Sequence, residues 1–164
     1  MSAAVLNEKN ADIVVSFLEK YIRHFEELAD FLAKKQNKIL LDDLDWLEEA
    51  LIQEQGFIMK GNSLEDKRSE LFEQIGLSGK RFSELPQYFP EDYHGVLGLQ
   101  SDRLNKSIER IKQINAVSKD VVERKLEYQK KLLGVNEFTG IGAYSEDAQI
   151  VKGGGGSGDI IGNV

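Results

Sequence analysis

"ADIVVSFLEKYIRHFEELADFLAKKQNK", residues 11–38, decides the fold. Its apolar side chains Val14, Leu18, Tyr21, Phe25, Leu28 and Leu32 recur at alternating steps of four and three. Such steps align side chains on one face of an α-helix, whereas a strand needs strict alternation. A repeat of seven is also the seam by which helices meet other helices, so this segment predicts a helix inside a bundle or coiled coil. Phe17 and Phe31 stand beside the seam and widen it.

Downstream, "LLDDLDWLEEALIQEQ" at residues 40–55 opens a second helix. Asp42, Asp43 and Asp45 fall at its start, where negative charge meets the positive end of the helix dipole. The expected seam is Leu44, Leu47, Leu51, Phe57, Leu64, Leu71 and Ile75. Gly61 interrupts it at a cost of about 1 kcal/mol relative to alanine, so one long helix bent or weakened at Gly61 is expected. Gly76, Gly79, Pro86 and Pro90 then break the pattern. Phe82, Leu85, Tyr88 and Phe89 between them predict a short helical turn that plugs one end of the bundle. Pro90 suits the start of a third helix, where a missing N–H costs nothing. Its apolar face is Leu104, Ile108, Ile111, Val122 and Leu126, with Asn115 and Ser118 as polar interruptions of the kind that set register.

The expectation is an all-α protein with three long helices, near residues 11–38, 42–75 and 92–133, in an antiparallel bundle or coiled coil with a short helical plug. Residues 1–133 form the bundle domain and residues 134–164 a flexible tail. Nine of the fifteen glycines lie in those last 31 residues. Glycine loses the most conformational entropy on ordering, so the tail is expected to stay disordered unless bound. It nevertheless carries Phe138, Ile141, Tyr144, Ile150, Val151, Ile160 and Ile161, which a pure spacer does not need.

Composition narrows the function. With 164 residues the chain suits one domain with a modest core. The absence of cysteine rules out disulfides, thiolate metal sites and a cysteine nucleophile. The opening "MSAAVLNEKNAD" does not read as a signal peptide, and no apolar run approaches the roughly 18 residues that span a bilayer. A net charge of −7 argues against nonspecific nucleic-acid binding. Arg103–Lys131 carries nine basic and four acidic residues, while residues 1–102 carry eleven basic and twenty acidic. That asymmetry predicts a basic helix packed beside acidic ones.

Candidate chemistry is thin. "IVKGGGGSGDII", residues 150–161, contains G-x-G-x-x-G as Gly153, Gly155 and Gly158. A dinucleotide fingerprint needs a strand before it, a helix after it and an acid about 20 positions on. Only six residues follow Gly158, and no G-K-[ST] appears, so the stretch reads as a swivel. Glu91 and His94 show the E-x-x-H spacing of di-iron bundles, but such sites need a second copy and two further glutamates. His24 reads as a surface histidine, and the acidic cluster Asp42, Asp43, Asp45, Glu48 and Glu49 lacks the glycine of a calcium loop. No catalytic residues, metal site or cofactor are expected, and the protein reads as a non-enzyme.

The second helix resembles a known family. "DDLDWLEEALIQEQGFIMKGNSLEDKRSELFEQIGLS", Asp42 to Ser78, is similar to the FlgN-type flagellar export chaperones. The likeness is carried by an acidic, leucine-bearing helix with Glu54–Gln55 at its middle, then Leu64, Glu65 and Arg68, then a stop at Gly76. The segment "FSELPQYFPED" matches the family's short leucine stretch and proline, and "INAVSKDVVERKLEYQKKLL" its third helix, with asparagine in the core and a leucine-rich end. Where the family often has a second asparagine, this chain has Ser118.

The resemblance implies a cytoplasmic type III export chaperone. It would bind hook–filament junction (hook-associated) subunits, prevent their premature assembly and deliver them to the cytoplasmic domain of the flagellar export gate. An apolar stripe running off the third helix puts the expected client site at Val122, Leu126, Tyr128, Leu133 and Phe138. In the tail, "AYSEDAQ" places Tyr144 where the family carries a gate-docking aromatic residue, with Asp147 as the accompanying acid, while Ser145 and Ala148 depart from the family's glycines. The sequence is compatible with a homodimer and decides neither stoichiometry nor client. The competing readings are a structural coiled-coil adaptor without an export role and an enzyme subunit using Glu91 and His94.

Overall fold

The computed structural model describes residues 4–134. Three long helices dominate: α1 spans Glu8–Leu40, α2 Leu44–Gln74 and α3 His94–Leu133. Each boundary has a local cause. The Asn7 side chain accepts from the Asn10 backbone N–H at 2.8 Å and caps α1. Asp43 caps α2 in the same way through the Trp46 N–H. Between these helices Asp42 takes a left-handed φ of 54°, a conformation aspartate tolerates better than most residues. At the end of α2, Gly76 turns left-handed (φ 79°) and the Leu77 N–H reaches back to the Phe72 carbonyl at 2.7 Å. Leu77 and Phe72 are both buried there, completing a Schellman stop with its apolar contact.

The chain runs up, down and up. Lys38 meets Asp43, Lys35 meets Glu54 and Lys60 meets Glu27, so α2 descends antiparallel to α1. Arg103 meets Glu19 and Glu26, and Arg110 meets Asp30, so α3 climbs parallel to α1. The basic third helix does pack on acidic residues of its own chain. Helix α1 lies against both of the others, while α2 and α3 scarcely approach each other. The α1 seam is buried as expected at Val14, Leu18, Tyr21, Phe25 and Leu32, with Leu28 half-buried, and Ala11, Ile22, Ala29 and Phe31 extend it to serve two neighbours. The plug is a 3₁₀ helix, Phe82–Tyr88, which buries Phe82 and Leu85, with Phe89 buried just beyond it. A 3₁₀ turn, Glu91–Tyr93, follows Pro90 and leads into α3.

Several local expectations need correction. The expected α2 seam holds in part: Leu64 is buried and Leu47, Phe57, Leu71 and Ile75 are half-buried, but Leu44 is 73% exposed, Leu51 is exposed, and Ala50 and Phe72 are buried in addition. Packed on α1 alone, α2 turns a narrow face inward. The buried polar residues of α3 are Gln100 and Ser107, whereas Asn115 and Ser118 are half-buried. Gln100 is held by donating to the Val15 carbonyl of α1 at 3.1 Å. Residues 134–164, expected to form a flexible tail, lie outside the described residues except for Gly134, whose left-handed φ of 64° ends α3.

His24 is the largest departure. It is 3% exposed, packed between Phe25 and Phe57, and its Nδ1 has no hydrogen-bond partner. Its ring also explains Gly61: α2 is helical straight through this glycine, and a Cβ there would lie 3.1 Å from His24 Nε2. Gly56 faces open space. Gly56→Ala is therefore expected to raise stability by about 0.5–1 kcal/mol through helix propensity. Gly61→Ala gains the same propensity but must displace a ring wedged between aromatic neighbours, so it should lower stability in urea unfolding. Equal stabilisation by both would remove the steric account of Gly61.

Burial holds the His24 imidazole below the ordinary histidine range, Lys60 adds to that direction and Glu27 opposes it. The unfolded chain then binds the proton more tightly than the folded one. This residue's contribution to stability is fully present above about pH 6.5, the unfolded value, and is lost as pH falls below it. Wild type should therefore lose melting temperature relative to His24→Leu between pH 7.5 and 5.5. A gap that stays constant with pH would show that His24 is not the titrating group.

Candidate functional site

The α1–α3 ion pairs set a register that leaves one end of the molecule open. Arg110 lies beside Asp30 at 2.6 Å and Lys125 beside Asp42 at 2.6 Å, so α3 draws level with the end of α1 near residue 123. The remainder of α3 runs past α1 by about ten residues at ~1.5 Å each, an overhang of roughly 15 Å. The last buried residue of α3 is Ile114. Beyond it the apolar side chains of α3 have less and less of α1 to lie against.

Those side chains form two stripes. Val122, Leu126 and Leu133 continue the face that buries Leu104, Ile108 and Ile111 lower down. Val122 and Leu126 are half-buried and Leu133 is exposed. Val117, Val121, Tyr128 and Leu132, at steps of four, seven and four, make a second stripe about a third of a turn away. Tyr128 is 63% exposed and Leu132 67%. The expected client residues Val122, Leu126, Tyr128 and Leu133 thus share one helical segment but not one face. Phe138 and Tyr144 lie outside the described residues.

The structure adds residues that the sequence reading assigned elsewhere. Leu40 and Leu41 at the α1–α2 turn, and Leu44, Leu51, Ile52, Ile58 and Met59 on the first half of α2, are all exposed. Ile52 and Met59 point directly away from the buried face; Glu48 and Glu49 lie one turn from Ile52, while Gln55, Gly56, Asn62 and Ser63 surround Met59. The adjacent apolar pairs 51–52 and 58–59, seven apart, were the available signal: one seam cannot bury both members of such pairs. Elsewhere among the described residues, only Val5, Ile13, Val96 and Leu99 are comparably exposed large apolar side chains. Exposed apolar surface is therefore concentrated at the end where α1 turns into α2 and α3 overhangs.

The opposite half offers less. An open groove of about 610 Å³ runs between the start of α1 and the end of α2, floored by Phe17 and Leu71 and edged by Asp12, Lys20, Lys67 and Glu70. His94 is exposed, with Nε2 at 3.2 Å from the Phe89 carbonyl. Among the described residues no group of carboxylates and histidines gathers as a metal site, and no helix is long and apolar enough to cross a membrane.

The comparisons agree with the helical pattern. No curated protein and no solved structure matches the chain. The family model described as FlgN protein matches residues 6–149, which takes in all three helices and the plug. The chain belongs to the FlgN family, the flagellar export chaperones that its second and third helices resemble.

Proposed function

We propose that this chaperone captures hook–filament junction subunits in the cytoplasm on its open apolar end and delivers them to the export gate. The observation that carries the reading is the stripe Val122, Leu126 and Leu133, which continues the core face of α3 into the overhang. A core face without a partner helix is a ready groove wall for an amphipathic helix. A subunit's sticky terminal helix, kept there, cannot polymerise before export. The role is binding and transfer, with no catalysis and no cofactor.

Replacing Leu126 and Leu133 with serine tests the client site. Burying each against a client is worth about 1.5–3 kcal/mol, so the double variant should bind a junction subunit's terminal segment at least about 100-fold more weakly. Neither residue is in the buried core, so helicity and melting should stay close to wild type. Unchanged affinity would move the client site off this stripe.

Tyr144 is the proposed gate contact. An aromatic anchor offers a large contact area for little rotamer entropy, and glycine-rich flanks let it reach its pocket. Tyr144→Ala should leave client affinity intact and weaken binding to the gate's cytoplasmic domain by at least about 1 kcal/mol. Calorimetry against both partners checks it, and equal loss at both would make the tail part of the client site.

A further inference from the structure

We propose that the groove between the start of α1 and the end of α2 docks a short amphipathic helix of another protein, lying parallel to α1 with carboxylates in its last turn. Helix α1 lines the groove from Ile13 to Lys20 and α2 from Lys67 to Gln74, each at the spacing i, i+3, i+4, i+7. Each helix therefore offers one continuous ridge. Two ridges with a gap between them are the seat that a third helix takes in a bundle. Apolar surface runs along the middle: Ile13 is 44% exposed, and Phe17 and Leu71 are half-buried.

No other described helix of this chain covers the groove. Val15 and Glu19, which meet Gln100 and Arg103 of α3, lie on the far side of α1. The pairs Tyr21–Glu65 and Lys60–Glu27 set the antiparallel register of α1 and α2. Lys20 accordingly stands level with Lys67 at one end of the groove, and Ile13 with Gln74 at the other. Neither lysine has an ion pair among the described residues. Two ammonium groups facing each other across a cleft repel, and a carboxylate set between them relieves both. The other end carries Asp12, which accepts a hydrogen bond from the Tyr93 hydroxyl.

This polarity chooses the occupant and its direction. A helix carries partial positive charge at its first turn and partial negative charge at its last. Lying parallel to α1, it sets its first turn beside Asp12 and its last turn on the two lysines. The reverse direction would oppose like charges at both ends. Ile13 to Lys20 covers about 10 Å, or two helical turns. A contact of that size suits a transient partner rather than a permanent one. The groove lies at the end of the molecule away from Leu126 and Leu133, so it stands apart from the client reading.

The full chain and a synthetic peptide test the proposal. The peptide is about four turns long, held helical by a side-chain staple, with leucines at steps of three and four along one face. It carries lysines in its first turn and glutamates in its last, and a fluorescent label reports binding by polarisation. It should bind the wild-type chain. A second peptide with the lysines and glutamates exchanged should bind at least about tenfold more weakly. Lys20→Glu with Lys67→Glu should invert that preference. Both lysines are exposed, so helicity by circular dichroism should be retained. Ile13→Ser should weaken both peptides, and Leu126→Ser with Leu133→Ser should weaken neither.

Failure of the first peptide to bind overturns the proposal, as does a preference that survives the charge reversal. Loss of binding in the Leu126 and Leu133 variant assigns the peptide to the client stripe and overturns it too. Binding that appears only once residues 135–164 are removed gives the groove to the chain's own tail. Affinity that falls as protein concentration rises gives it to a second copy. Either result overturns a partner helix as the occupant.

Discussion

The whole arrangement depends on α1 having two neighbours. Its buried residues cover a broad arc, from Ala11, Leu18 and Ile22 round to His24 and Phe31, because α3 and α2 approach it from different sides. Small residues help: Ala11 and Ala29 are fully buried. On the α3 side Arg103 clamps Glu19 and Glu26 together, and its hydrogen bond is the chief cause that holds the Glu19 carboxyl below its ordinary range. These groups are partly exposed, so the clamp contributes little net stability. What it contributes is register. Gln100 on the Val15 carbonyl, Arg110 on Asp30 and Lys125 on Asp42 keep similar offsets of 85, 80 and 83 residues up the helix. One slip would undo all of them together, and that common offset is what pushes α3 past the end of α1.

Helix α2 is held differently. It buries only Ala50, Leu64 and Phe72, and its contacts with α1 include polar groups that are short of solvent. Burial pushes the Tyr21 hydroxyl well above its ordinary range, with the Glu65 carboxylate adding to the shift. Glu65 is gripped by Arg68 one turn on, at 2.6 Å. Partly buried ion pairs are weak evidence for stability, since desolvation offsets much of their attraction. His24, buried with an unsatisfied nitrogen beside a glycine, belongs to the same set. The α1–α3 pair thus forms the firmer half of the molecule, and α2 is the helix whose release from α1 would cost least.

Helix number, order and extent were legible in the residues because long amphipathic segments with clear stops leave few alternatives. The Asn7 and Asp43 caps, Gly76 and Pro90 mark ends that the chain's local chemistry dictates. The face of α2 was legible from Phe57 onward but not in its first turns, where Leu44 and Leu51 are exposed. Leu44 and Leu51 keep a seven-residue step, but so do Ile52 and Met59, and periodicity cannot choose between stripes when a helix has one neighbour instead of two. His24 was misread for a related reason. A histidine beside arginine looks solvated in sequence, and only the arrival of α2, with Gly61 opposite the ring, removes it from water. The C-terminal half of α3 was recognisable as an apolar surface, but its division into two faces needs the register to α1.

An exposed apolar end is a hazard for a protein at high concentration, and the chain manages it with charge. Apolar patches of this kind drive self-association unless something limits which contacts close. Here the limiting groups are unevenly placed: acids line the α2 side and bases the overhang. Uniform charge would keep copies apart but would also repel any client of the same sign. Divided charge opposes contact between the α2 faces of two copies, since that brings Asp45, Glu48 and Glu49 of each together. A binding surface arranged this way stays open to an amphipathic helix without becoming an open-ended site for aggregation. The parallel register of α1 and α3 creates the surface, and the acid–base division at its two edges is what makes leaving it exposed tolerable.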